Sequence, residues 1–250
     1  MVKISAWSYF LLDGNYKNLY SFLSIFKEMC VVQEKELRTR ILQKAFSLFL
    51  SRGFTRVTTQ DIASALGISK KTLYKYYSSK HEIVSTAIEQ NLEGLGARFD
   101  EIMQQRDWGF NEKFVRVLML IQRQVGSISE IFLEDMARHI PDVWEKIDCF
   151  RRKRVLEVLH QLLIQGQTEG AVRKDLHLEA VLFLLFGTIN NSITPERLLK
   201  AGYPLEKIFT TMIDLFYKGL LTPQAVQDFN LNKDLLPTKE LGNEESLFID

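Results

Sequence analysis

The sequence predicts an all-α protein, with an N-terminal three-helix domain that contains a helix-turn-helix and a larger helical bundle after it. Three observations predict this. Apolar residues recur at steps of three and four from about Gln33 to about Pro223, the period of an amphipathic helix. Capping residues and glycines punctuate that pattern at short intervals near its start. No stretch alternates convincingly as a strand: VRVLML, residues 115–120, is the best match and sits inside a longer helical period.

The elements follow in order. Leu37, Ile41, Ala45, Leu48 and Phe49 form a stripe, and Gly53 follows as a C′ residue, giving a first helix over about 34–52. Thr58 with Asp61 at N3 opens a short helix whose inward residues are Ile62, Ala63 and Leu66, and Gly67 closes it. Ser69 caps a third helix to about Tyr76, and Ser79 with Glu82 opens a long fourth helix to about residue 105. Only Ile68 separates Gly67 from Ser69, the tight join of a helix-turn-helix.

Further on, Phe110, Phe114, Val117, Leu118, Ile121 and Val125 share a face, as do Val155, Leu156, Leu159, Leu162 and Leu163. The run VLFLLFGTI, residues 181–189, is apolar on more than one face, and Leu205, Ile208, Phe209, Met212, Ile213 and Phe216 stripe one more helix. Arg151 to Arg154 read as a solvated helix start. After Pro223 the periodicity stops, which predicts a loose tail.

Composition bounds the function. The 250 residues carry a formal charge of +1, but it is unevenly spread. Residues 1–31 hold three basic and two acidic side chains, 32–82 hold ten and four, and 83–250 hold 19 and 25. A module of +6 therefore precedes a body of −6, the pattern of a small basic contact domain on a larger acidic one.

Cys30 and Cys149 make no disulfide framework and no metal-ligand spacing, and His81, His139, His160 and His177 are too scattered for a metal site. No cofactor is expected. The N-terminal apolar run breaks at Asp13-Gly14-Asn15, so no signal peptide is read there, and no apolar run reaches the length of a membrane span; a cytoplasmic location is expected. G-x-S-x-G, P-loop and G-x-G-x-x-G motifs are absent, and no enzyme is expected.

The segment SKKTLYKYY, residues 69–77, carries the sharpest signal. At 100° per residue Leu73 and Tyr77 share the anchoring side, while Lys70, Lys71, Tyr74 and Lys75 point elsewhere. A helix of this kind fits the major groove of B-DNA, where lysines reach guanine edges or phosphates, tyrosine hydroxyls suit phosphates, and the Thr72 methyl meets thymine.

Residues 38–84 resemble the DNA-binding domain of TetR/AcrR-family transcriptional regulators. The resemblance rests on Ile41, Ala45 and Phe49 before Gly53-Phe54, on Thr58-Thr59 and Asp61-Ile62-Ala63, on Gly67-Ile68-Ser69 and Thr72-Leu73-Tyr74, and on Tyr77 with Ser79-Lys80.

It implies that Thr59 and Gln60 approach backbone and base edges, that Lys70, Lys71 and Thr72 read the groove, and that Tyr74, Tyr76 and Lys80 grip phosphates, with Ser69 as the cap. Lys71 departs from the small residue common at its position in the family, which bears on the operator bases.

The resemblance also implies a homodimer through roughly 177–192 and 204–220, a palindromic double-stranded DNA operator, and a repressor released by a small, apolar effector. Candidate effector contacts are Leu118, Ile121, Gln122, Phe132, Met136, Trp144, Phe150, Leu159, Phe186 and Asn190, all of which equally fit an ordinary core.

The domain boundaries are then 1–32 for a flexible extension, 33–82 for the DNA-binding domain, 83–222 for the effector and dimer domain, and 223–250 for the tail. Residues 1–28 are expected to be either an added arm or an over-extension of the reading frame, since Met29 stands near where family members begin. The alternative function is a DNA-binding architectural or co-regulatory protein without a small-molecule effector.

Overall fold

The computed structural model describes residues 17–232, apart from the side chains at 17–26, 30, 189, 190, 192 and 228–232. The expectations for 1–16 and 233–250 lie outside the described residues. The helices in order are α1 (Lys17–Arg52), α2 (Thr59–Ala65), α3 (Lys70–Tyr76), α4 (Lys80–Gln104), α5 (Phe110–Gly126), α6 (Glu130–Arg138) and α7 (Pro141–Phe150). A five-residue π turn, Arg151–Val155, leads into α8 (Leu156–Glu169), followed by α9 (Leu178–Ser192), α10 (Pro195–Ala201), α11 (Leu205–Leu220) and α12 (Pro223–Asn232). Among the described residues there is no strand, only the isolated bridge between Val172 and Leu221.

Three boundaries differ from those the sequence suggested. The first helix begins at Lys17 rather than near 34, and residues 17–32 are helical rather than a flexible extension. No glycine or proline interrupts residues 17–52, so nothing stops the helix, whereas its apolar stripe starts only at Leu37 because the described side chains from 27 to 36 are exposed.

Residues 223–232 form a helix where a loose tail was expected. Pro223 stands at the first helical position, where a missing N–H loses nothing, and the buried Ala225 accepts a hydrogen bond from the Tyr217 hydroxyl at 3.4 Å. Arg151 to Arg154 are not a helix start; they form the π turn inside a continuous run of helix from Pro141 to Glu169.

The chain divides into two compact units, the first ending at Ile41 and the second starting at Leu42. Within the second, the short N-terminal helices bury Phe49, Val57, Ile62, Ala63 and Leu73, with Tyr77 closing the set.

In the body, α5 meets α4, α8 and α11, while α8 also meets α9. Their shared core centres on Phe99, Phe110, Val117 and Leu162, all with essentially no exposure, and each such large side chain contributes about 1.5–3 kcal/mol of burial. Helix α6 contacts α7 and α10, and α7 contacts α4.

Candidate nucleic-acid interface and the cavity behind it

The helix-turn-helix is built by local chemistry. Thr58 caps α2: its hydroxyl accepts the Asp61 N–H at 3.1 Å, and its own N–H donates to the Asp61 carboxylate at 2.7 Å. The hydrogen bonds from the Thr58 hydroxyl and backbone hold the Asp61 carboxyl below its ordinary pKa.

Helix α2 ends in a Schellman turn, with Gly67 N–H on Ser64 O and Ile68 N–H on Ala63 O. Gly67 takes φ +65°, a conformation that other residues reach only with strain. Ser69 then caps α3 by accepting from Thr72 N–H at 3.0 Å.

Leu73 is fully buried and Tyr77 nearly so, whereas Lys70, Lys71, Tyr74 and Lys75 are exposed and Thr72 and Tyr76 half-buried. One face of α3 is therefore fixed and the rest presents cations and phenols outward. The Thr72 hydroxyl lies 2.8 Å from that of Ser69, the Tyr74 hydroxyl 3.4 Å from that of Thr59, and Lys70 Nζ 5.8 Å from the Tyr74 ring centroid. Gln60 is exposed and donates to Ser64, while Thr59 is buried and reaches the surface only through Tyr74.

Lys80 differs from its expected role. Its ammonium donates to Phe54 O at 2.9 Å and Val57 O at 3.0 Å and sits 4.2 Å from the Phe54 ring centroid. Burial lowers its pKa, with the Asp135 charge acting the other way. The side chain thus ties the first turn of α4 to the 53–57 loop rather than reaching outward to a phosphate. Sequence reasoning missed this because a capping lysine and a phosphate-binding lysine look alike at this position.

The same loop is held from its other side by α6. Buried Asp135 accepts Thr55 N–H at 3.1 Å. A Cβ on Gly53, which has φ +85°, would lie 2.4 Å from Ile131 Cγ2 and 2.7 Å from Asp135 Oδ2, so glycine lets the two backbones approach. Helix α4 is tied to α7 by His81 Nε2 and Asp142 at 3.1 Å, and by Lys146, which contacts both Ser85 and Glu89.

Behind the head lies a cavity of about 220 Å³. One stripe of α4, Ile88, Asn91, Leu92 and Leu95, forms one wall. Leu118 and Ile121 of α5, Phe132 of α6, Phe150, Arg151 and Leu159 line further sides, and Phe209, Met212, Ile213 and Phe216 of α11 complete it.

Five of the sequence candidates are therefore wall residues: Leu118, Ile121, Phe132, Phe150 and Leu159. Gln122, Met136, Trp144 and Phe186 are not. Met136 sits one turn beyond Phe132 with no exposure, and Leu185 takes the wall position beside Phe186. The Asn190 side chain is outside the described residues. Asn91, Gln124 and Arg151 were missed; polar residues inside an apolar stripe were the available signal.

Among the described residues no group of three or more His, Cys, Asp or Glu could hold a metal ion, and no helix is long and apolar enough to cross a membrane.

Comparison with known proteins agrees with this architecture. Residues 41–87 match the family described as bacterial regulatory proteins, tetR family. An uncharacterised HTH-type transcriptional regulator of Bacillus subtilis (strain 168), YvaF, is 27% identical over 181 residues, covering 72% of this chain and 94% of that protein. The HTH-type transcriptional repressor KstR2 of Mycobacterium tuberculosis (strain CDC 1551 / Oshkosh) is 34% identical over 181 residues, covering 69% of this chain and 86% of that protein. The crystal structure of reduced NemR from E. coli shares the fold, with a TM-score of 0.55 at 18% identity over 75% of this chain and 98% of that one. A basic helix-turn-helix matched to the family and a relative of this identity across its length lead to one conclusion: the chain belongs to the tetR family of bacterial regulatory proteins and is a DNA-binding transcriptional regulator.

Proposed function

We propose that the chain acts as a homodimeric repressor that leaves its palindromic operator when a small, apolar effector enters the cavity. One observation carries this reading: α4 starts at Lys80, clamped to the head, and seven to fifteen residues later the same helix forms a cavity wall. A ligand that favours one placement of α4 therefore also favours one placement of the head.

On the DNA, α3 enters the major groove. Lys70, Lys71 and Thr72 read base edges, with Gln60 beside them, and Tyr74 and Tyr76 hold phosphates. Thr59 supports the Tyr74 hydroxyl and Ser69 keeps the first turn of α3 in shape, so both act by positioning. Lys80 belongs with them as a positioning residue.

The dimer forms through α9 and α11. Phe183 and Leu184 on α9 and Leu215 on α11 are 75%, 61% and 69% exposed, which an isolated protomer would not favour for three large apolar side chains on the helices proposed to pair. The effector contacts are the wall residues, and the near absence of polar groups among them supports an apolar ligand.

Footprinting on the DNA flanking the gene, followed by fluorescence anisotropy with and without apolar compounds, tests the proposal. A two-fold symmetric footprint that a compound abolishes supports it. If every compound that fills the cavity leaves DNA binding unchanged, the effector-free co-regulator is the better description.

A further inference from the structure

Arg151 is the one charged residue among those that line the cavity. The π turn presents it there, at a point where a helix widened by one residue changes which side chains face inward. Nη1 donates to Ile193 O at 3.1 Å, Nη2 pairs with Asp148, and Nε is buried with no hydrogen-bond partner. The guanidinium carbon lies 5.2 Å from the Trp144 ring centroid, so an aromatic face holds the group in place.

Its charge is incompletely balanced. The Asp148 carboxylate is shared, with Oδ1 on Arg151 and Oδ2 on Arg152 at 2.9 Å, so two guanidiniums face one carboxylate. The Arg151 side chain is only 15% exposed, and that leftover positive charge borders an otherwise apolar space. A cation entering would be repelled, and a neutral alcohol would gain at most a hydrogen bond. A carboxylate would gain the hydrogen bond and the charge together.

We infer that the cavity takes an apolar monocarboxylic acid, its carboxylate received by Arg151 and its hydrocarbon body lying against α4, α5 and α11. This rests on the proposal that the cavity binds the effector, and it names the effector's chemical class. At about 220 Å³ the space is below the roughly 300 Å³ at which drug-sized ligands begin, so a short acid fits better than a large polycyclic one.

Calorimetry at pH 7 on the full chain compares decanoate with 1-decanol, and the neutral dye Nile red reports whether the cavity accepts apolar molecules at all. The expected result is decanoate binding at least about tenfold tighter than decanol, with the preference collapsing in Arg151→Met while decanol affinity is kept. The comparison within the unmodified protein stands even if that variant fails to fold.

Equal binding of acid and alcohol, or an unchanged preference in Arg151→Met, overturns the assignment. If Nile red binds and is displaced by decanol while decanoate shows no advantage, the cavity reading survives and the role of Arg151 falls. If none of the three binds, both fall.

Discussion

Asp135 accepts the backbone N–H of Thr55 at 3.1 Å, and so joins a helix whose Phe132 lines the cavity to the loop whose carbonyls hold Lys80. Three elements, α6, the 53–57 loop and α4, thereby share one small network at the base of the head. Asp135→Ala leaves a part-buried N–H without its acceptor and should cost about 1–3 kcal/mol of stability in urea unfolding. In a version stable enough to assay, the effector concentration needed to release DNA should rise while effector affinity measured without DNA stays the same. An unchanged release curve would remove Asp135 from the coupling.

The capping box at Thr58 gives a prediction in pH. Asp61 has its folded-state pKa lowered by Thr58, so its contribution is complete above the unfolded-state pKa and is lost as pH falls through the folded-state value. Thr58→Ala should cost about 1 kcal/mol at neutral pH, and urea midpoints of the variant should fall less steeply on the acid side than those of the parent. Parallel acid limbs would contradict this.

Lys71 and Lys80 should separate on DNA. Lys71→Ala should lose roughly 1–3 kcal/mol on the preferred site and relax base preference at one position. Lys80→Ala should mainly lower the stability of the head, because Phe54 O and Val57 O lose their donor, and should leave the slope of affinity against salt nearly unchanged. A slope lower by about one in Lys80→Ala would return that residue to the phosphate backbone.

Leu215→Glu should abolish the proposed dimer without unfolding the protomer, since the side chain is exposed in the isolated chain. Sedimentation velocity would show a monomer, and affinity for a two-half-site operator would drop toward that of a single half-site. A dimer that persists in this variant would move the interface elsewhere.

The head was legible because its signals are local. Thr58 with Asp61, Gly67 and Ser69 each state a backbone requirement within a few residues, and α2 and α3 start as those caps dictate. The cavity was half legible, for a physical reason: Phe132 and Met136 lie one turn apart in the same apolar stripe, and only the packing of other helices decides which faces empty space.

Lys80 and Arg151 were misread because charge suggests solvent, whereas carbonyls and an aromatic ring hold each of them against the protein. The helix after Thr222 was hidden because proline was taken for a stop when it stands at a start.

The π turn at Arg151–Val155 also fixes a register. Removing one residue there would let the helix close to ordinary α geometry and rotate everything after it by about 100° relative to α7. Leu159 and Leu163 would swing off the cavity wall while Trp144 stayed in place. The spacing between Trp144 and Leu159 is therefore as much a part of the site as the side chains themselves, and chains with this pocket should tolerate substitution across the turn far better than a change in its length.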